Sequence, residues 1–314
     1  MLSLRRGQVS AIVEQLEELV RLEVDARPSV AYPRLTGPVA LGDDVLVNVQ
    51  ALDLGLGSGG FDVLYANLTR GLGLPPTEGA HVIKLPYTPL QVAVPHAEES
   101  ERLAERLDGL PVVCCSLHSQ LAPVCAGLGP DLRVAYVQLQ GGALPVSLSD
   151  AVRALKQRGL LAVAAAAGAC LDGDLDFVTV AAALAWARAA GYEAVACAPG
   201  PGIVGTGSFL GHGALAAADA ANVASALGGR PVVAERRSEA DERERHRGTS
   251  HHTRAILALC LGEVRVAEAD AEESGWREAC AGLPLDQMGR GPEEDPAFFA
   301  AAFAAGRLAR RLVR

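Results

Sequence analysis

The residues best able to do chemistry in this chain sit in short polar or glycine-rich stretches, each following an apolar run. The densest is Pro199-Gly-Pro-Gly-Ile-Val-Gly-Thr-Gly-Ser208. Gly200, Gly202, Gly205 and Gly207 let the backbone come close to a ligand, and Thr206 and Ser208 add hydroxyls, so amides here can hold an anion. A helix starting just beyond adds the positive end of its dipole. Gly200, Gly202 and Gly205 satisfy Gly-x-Gly-x-x-Gly, but after the fourth strand of their domain rather than the first, so the match to a dinucleotide fingerprint is weak. The alternative is a tight chain reversal with no ligand.

Ser250-His251-His252-Thr253 offers imidazoles that titrate near neutrality, so His251 or His252 suits general acid–base work. The plainer alternative makes Ser250 an N-cap and puts both histidines in a first helical turn. Adjacent side chains diverge in a regular element, so a shared metal is not expected, and no set of His, Cys and carboxylates has zinc spacing. His118 and Ser119 form a third group. Gly-x-Ser-x-Gly is absent and neighbours in sequence seldom act as nucleophile and base on each other, so a pocket-lining role is favoured, with His118 as a further proton-transfer candidate. Gln140 opens a polar stretch, Gln140-Gly-Gly-Ala-Leu-Pro145. Asp172, Asp174 and Asp176 alternate like a calcium loop but lack its later glycine and glutamate, and read as an N-cap and solvated first turn.

Of 28 basic residues only Lys84 and Lys156 are lysines, and neither follows a glycine. No phosphate loop of the Gly-Lys-Ser/Thr type exists. Any anion must be held by amides, arginine or histidine. Lys84 lies in His81-Val-Ile-Lys-Leu-Pro-Tyr-Thr-Pro-Leu-Gln91, where two prolines enforce an extended path. This segment reads as a hinge strand, or as one that feeds Lys84 or Gln91 into an interdomain cleft.

Two kinds of element must position these groups. Residues 1–100 hold short strands, Gln8–Val13, Leu19–Val24, Val30–Tyr32, the alternating Val45, Val47 and Val49, and Phe61–Asn67, with turn signals between them; a small β-barrel-like domain is expected. Gly55–Gly60 reads as a flexible connection. Residues 101–290 alternate continuous apolar runs (Val112–Leu117, Arg133–Leu139, Leu160–Ala166, Glu193–Ala198, Pro231–Glu235, and a further one near Glu263–Ala267) with helical stretches (Ser119–Leu128, Leu148–Arg158, Phe177–Ala190, Ala214–Leu227). Strands buried on both faces, alternating with helices, predict a doubly wound, mostly parallel, Rossmann-like α/β sheet. Ligands bind such sheets beyond the strand C-termini, where all the polar stretches fall. Glu235–Arg247, with five acidic and five basic residues, reads as a solvated, mobile loop. Residues 291–314 end in a helix over Pro296–Arg314, with Phe298, Phe299 and Phe303 ahead of Arg307, Arg310, Arg311 and Arg314, expected to pack on the domain or on a second subunit.

Composition excludes several classes. Half of the 314 residues are hydrophobic and 21% are charged, so the chain is not disordered. A net charge of −9 with 4% aromatic residues argues against a nucleic-acid surface. The longest apolar runs, of about 12 residues, fall short of a membrane span. The first ten residues are polar, without the apolar core of a signal peptide. Seven cysteines without paired spacing do not form a secreted disulfide framework. A reduced, cytosolic protein is expected, with no membrane or nucleic-acid partner.

Lys84-Leu-Pro-Tyr-Thr-Pro-Leu-Gln91, Pro199–Gly207 and Ser250-His-His-Thr253, in this order and spacing, resemble a bacterial family of uncharacterised conserved proteins, a domain of unknown function, over about residues 5–270. The resemblance implies no established activity. It implies two departures here: an aspartate usual at position 140 is Gln140, and a histidine usual at position 169 is Ala169. A member lacking both would bind the family ligand yet be a poor catalyst. The expectation is therefore a cleft at the strand C-termini, roofed by the first domain, that binds a small anionic metabolite or nucleotide. Gly200, Gly202, Gly205, Thr206, Gly207, Ser208, Ser119, Lys84 and Gln140 would bind it, and His251, His252 or His118 would move a proton. No metal is expected, and no cofactor is named. The alternatives are a non-catalytic ligand-binding or regulatory module and a structural subunit of a homo-oligomer.

Overall fold

A computed structural model describes residues 1–56, 60–267 and 275–313 and divides into two compact units, Met1–Pro95 and His96–Arg314. Residues 57–59 of the glycine-rich connection and Arg314 lie outside the described residues.

The first unit is a closed barrel. Its strands are β1 (Leu4–Gln15), β2 (Val20–Val24), β3 (Arg27–Ala31), β4 (Asp44–Asn48) and β5 (Asp62–Asn67), in the order β1-β2-β3-β5-β4 and back to β1. All neighbours are antiparallel except β3 and β5, an order of the OB-barrel type. Alternation drives the closure. Val45 and Val47 point inward with Val9, Val20, Leu22, Val24 and Leu64, while the intervening residues face outward. The Gly42-Asp43-Asp44 turn is fixed by the Asp43 carboxylate, which accepts the Ala40 amide at 2.8 Å and the Arg70 guanidinium at 2.6 Å. Two single-turn helices, α1 (Pro33–Thr36) and α2 (Gln50–Asp53), join strands. The proline-rich segment expected as one extended strand is instead a hairpin, β6 (Val82–Lys84) against β7 (Val92–Val94), because both prolines fall in its loop.

The second unit is a parallel sheet covered on both faces. Its strands are β8 (Pro111–Cys115), β9 (Val134–Leu139), β10 (Val163–Ala167), β11 (Leu175–Phe177), β12 (Ala194–Pro199), β13 (Arg230–Ala234) and, beyond a short antiparallel pair β14 (Arg237–Ser238) and β15 (Gly248–Thr249), β16 (Arg265–Val266). They lie in the order β11-β10-β9-β12-β8-β13-β16, every pair parallel. Successive residues feed opposite cores. Val113, Cys115, Tyr136 and Ala196 join one cluster, and Val112, Cys114, Ala135 and Val195 the other. Helices α3 (Leu121–Leu128) and α4 (Asp150–Gln157) cover the first face. Helices α5 (Val180–Ala189) and α6 (Ala216–Ala226) cover the second, followed by α7 (His251–Leu259). The short α8 (Trp276–Ala279) and the long α9 (Pro296–Leu312) return to the first face, where Phe298, Phe299 and Phe303 are buried.

All eight residues of α3 are buried because α9 packs across it. The crossing is close. A Cβ on Gly306 would lie 2.1 Å from the Val124 carbonyl, and one on Gly127 2.3 Å from that of Phe303. The aspartate run does not cap α5, contrary to expectation. Asp174 accepts the Lys156 ammonium at 2.6 Å and the Ala164 amide at 2.7 Å, and Leu175–Phe177 becomes β11. The helix starts later, capped by Thr179, whose hydroxyl accepts the Ala182 amide. All seven cysteines are unpaired thiols, six of them buried. Among the described residues no helix is long and apolar enough to cross a membrane.

Candidate functional site

The loops after β8 and β9 turn to one face of the sheet and those after β12 and β13 to the other, which opens crevices between β9 and β12, between β12 and β8 and between β8 and β13.

His118 follows β8 in a 3-10 turn and is tied into the fold. Its Nδ1–H donates to the Pro199 carbonyl at 3.2 Å, and its Nε2 takes the Ser149 hydroxyl at 2.6 Å. Ser149 in turn accepts the Val152 amide as N-cap of α4. Burial pushes the His118 pKa down to about 4 against the Pro199 hydrogen bond. Ser119 turns away and donates to Gln287 Oε1 at 2.6 Å, so the two never face each other. Gln120 does structural work the sequence did not signal. Its Oε1 accepts the Ser116 and Leu117 amides, and its Nε2 donates to the Ala234 and Glu235 carbonyls, joining the ends of β8 and β13. Gln140 is exposed at the end of β9. Lys84 is buried on β6 of the first unit.

The glycine loop after β12 is largely a chain reversal. The Val204 amide donates to Gly141 O, that of Thr206 to Gly211 O, and that of Ser208 to Thr206 Oγ1. Three amides between Gly202 and Ser208, the stretch expected to hold an anion, are thereby committed. The glycines also answer to packing. A Cβ on Gly200 would meet the Ala143 carbonyl at 2.0 Å, and one on Gly213 the Gly141 carbonyl at 2.0 Å.

The charged run after β13 is folded rather than solvated. Arg236, Ser238, Asp241 and His246 are buried. The charges neutralise one another. Arg243 grips Asp241 through Nε at 2.9 Å and Nη2 at 2.8 Å, Arg290 reaches it at 3.3 Å and Arg236 at 3.5 Å. Asp295 holds Ser238 at 2.5 Å. Burial alone would raise the Asp241 pKa, yet its bonds to Arg243 hold it well below the carboxylate range. Half of this network lies some fifty residues downstream, which is why the local composition read as a loose loop.

This folded segment gathers four imidazoles. Ser250 is the N-cap of α7, as expected, and places His251 and His252 in the first turn. Their rings lie 4.5 Å apart, edge to face, rather than diverging; neighbouring Cα atoms are only about 3.8 Å apart, which permits it. His246 lies 4.7 Å from His251, and its Nδ1 meets Ser250 Oγ at 2.8 Å. His212 arrives from the end of the glycine loop and stacks on His252 at 4.0 Å. Its Nε2–H donates to the Phe209 carbonyl at 3.0 Å. Arg236 Nη1–H donates to His252 Nδ1 at 2.9 Å. Burial and then the Arg236 charge push His246 down to about 3 and His252 to about 2. Burial also lowers His212 and His251. All four are therefore neutral imidazoles with lone pairs near neutral pH. Nitrogens of His212, His251 and His252 lie within 4.8 Å of one another, so among the described residues these three form a group able to hold a metal. His212 and His246 were not singled out in the sequence. Gly211-His-Gly213 and the lone imidazole within a charged run were their only local signals.

Beside this cluster Arg245, Arg247 and Arg254 line an open cavity of about 580 Å³ with Glu244 and Gly248. Their side chains form no hydrogen bond or ion pair among the described residues. The Arg245 charge acts on His251, so the cavity and the imidazoles share one electrostatic field.

The model of a family described as proteins of unknown function, DUF3866, matches residues 28–279. The chain belongs to this family. The DUF3866 match contains the four clustered histidines, the three cavity arginines and His118. A search among curated proteins finds no match.

Proposed function

We propose that this DUF3866 protein binds a small anionic metabolite, such as a phosphorylated compound or nucleotide, in the arginine-lined cavity at the C-terminal end of β13. One observation carries the reading: Arg245, Arg247 and Arg254, unpaired with any carboxylate among the described residues, converge on one cavity. Guanidinium groups match phosphate and carboxylate through paired N–H donors. Arg236, Arg243 and Arg290 spend their charge on Asp241 and Asp295, whereas these three are left for a ligand. The position, beyond the C-terminal strand ends, is where such sheets take ligands. Of the catalytic candidates, His251 is the group available for proton transfer, since the Arg245 backbone engages only one of its ring nitrogens and the other is open. His118, with both nitrogens engaged by Pro199 and Ser149, is a structural group outside the site.

The test is calorimetric titration of the full chain with inorganic phosphate and nucleotides. Binding is expected, and Arg247→Ala or Arg254→Ala should weaken it about tenfold or more, as loss of a charged hydrogen bond does. No binding of any anion, or unchanged binding in both variants, would overturn the reading.

A further inference from the structure

Three of the four clustered histidines are arranged for more than neutral packing. His212, His251 and His252 are each more than nine-tenths buried, with donor nitrogens inside 4.8 Å. His212 spends Nε2–H on the Phe209 carbonyl, so Nδ1 carries the lone pair, and that buried nitrogen has no partner. A backbone carbonyl fixing one ring nitrogen so that the other can ligate is the common support of a metal-bound imidazole. His251 has two buried ring nitrogens; the Arg245 backbone engages one of them and leaves the other open. Buried polar atoms without partners are rare and call for an occupant.

We propose that His212, His251 and His252 form a binding site for one divalent first-row transition ion of the zinc type. Imidazole donors suit zinc, copper, iron and nickel, while magnesium and calcium require oxygen ligands, which this trio lacks. Three protein ligands leave a fourth position for water, the pattern of catalytic rather than structural ions.

The geometry also says what must move. Zinc–nitrogen bonds of about 2.1 Å put tetrahedral ligand atoms about 3.4 Å apart, so the widest pair closes by at most about 1.4 Å. His212 and His252 are stacked at 23°, and their lone pairs converge only if one ring turns. His252 is the one to turn, because Arg236 now sits on its Nδ1. The released guanidinium keeps Asp241, already its neighbour at 3.5 Å. Arg236 is thus a built-in competitor for the ion. The inference uses none of the cavity arginines and stands apart from the anion reading. Where both hold, the ion's water, and not a bound imidazole, is the proton-transfer group.

The experiment is a titration of the full chain, stripped by dialysis against a chelator, with Co²⁺ and then Zn²⁺. One Co²⁺ per chain, with the intense visible bands of a four-coordinate ion, displaced by Zn²⁺ and indifferent to Mg²⁺, is expected. His212→Ala and His251→Gln should each weaken binding by about tenfold or more, at least what loss of a supporting group costs; His118→Asn should bind as the parent does. Absence of stoichiometric binding, a cobalt–thiolate charge-transfer band, or unchanged affinity in His212→Ala would each overturn the proposal. The parent titration needs no variant to fold, and phosphate binding measured on the stripped protein judges the anion reading separately.

Discussion

His118 can be tested as a structural group by acid. An unfolded imidazole titrates near 6.5, whereas burial holds that of His118 down to about 4. A histidine with a lowered folded pKa binds its proton more readily when unfolded. Its contribution is therefore complete above about pH 6.5 and is lost as the pH falls toward 4. At about pH 5 the unfolded chain has taken up nearly the whole proton and the folded chain almost none, a loss of about 2 kcal/mol. Because the ring keeps some exposure, this is an upper bound. Depressed carboxylates such as Asp241 lose their contribution only below about pH 4, so they do not enter the window from 6.5 to 5. Urea unfolding, followed by circular dichroism in the parent and in His118→Asn, isolates this one group, since the clustered histidines contribute equally to both. The parent should lose up to about 2 kcal/mol more than the variant between about pH 7 and pH 5. Parallel losses would refute the argument, and would return His118 to the list of freely titrating bases.

Other consequences are open to measurement. Phe298, fully buried between α9 and the sheet, should cost about 3–5 kcal/mol when replaced by alanine, read from the urea midpoint. Alkylation of the native protein should reach the half-buried Cys260 first. Burial pushes Cys125 and Cys280 up to about 12, so peptide mapping should find those thiols modified only after unfolding. Initial labelling at Cys125 would contradict the packing of α3.

Alternation in Val45, Val47 and Val49 and the twice-buried runs from Val112 to Ala234 made both units legible in the sequence, since period and burial are local properties. Ser250 as N-cap was legible for the same reason. What was not legible rests on distance along the chain. The run from Glu235 to Arg247 folds because Arg290 and Asp295 complete its charges, and nothing within it announces those partners. His212 reaches His252 only because β12 and β13 flank β8. The glycines of the β12 loop were visible, but their purpose was not. Backbone contact with residues 141–143, far back in the chain, explains Gly200 and Gly213 better than an anion does.

The limits of the family match acquire a meaning from the close crossing of α3 and α9. The match covers 28–279, yet β1 and β2 precede it and α9 follows it. A polypeptide cut to those limits would leave β3 and β4 as raw edges of an opened barrel and would bare α3, whose every residue is now covered. The matched stretch is thus not the cooperative folding unit. Fragments made to study it should aggregate, whatever chemistry its histidines perform.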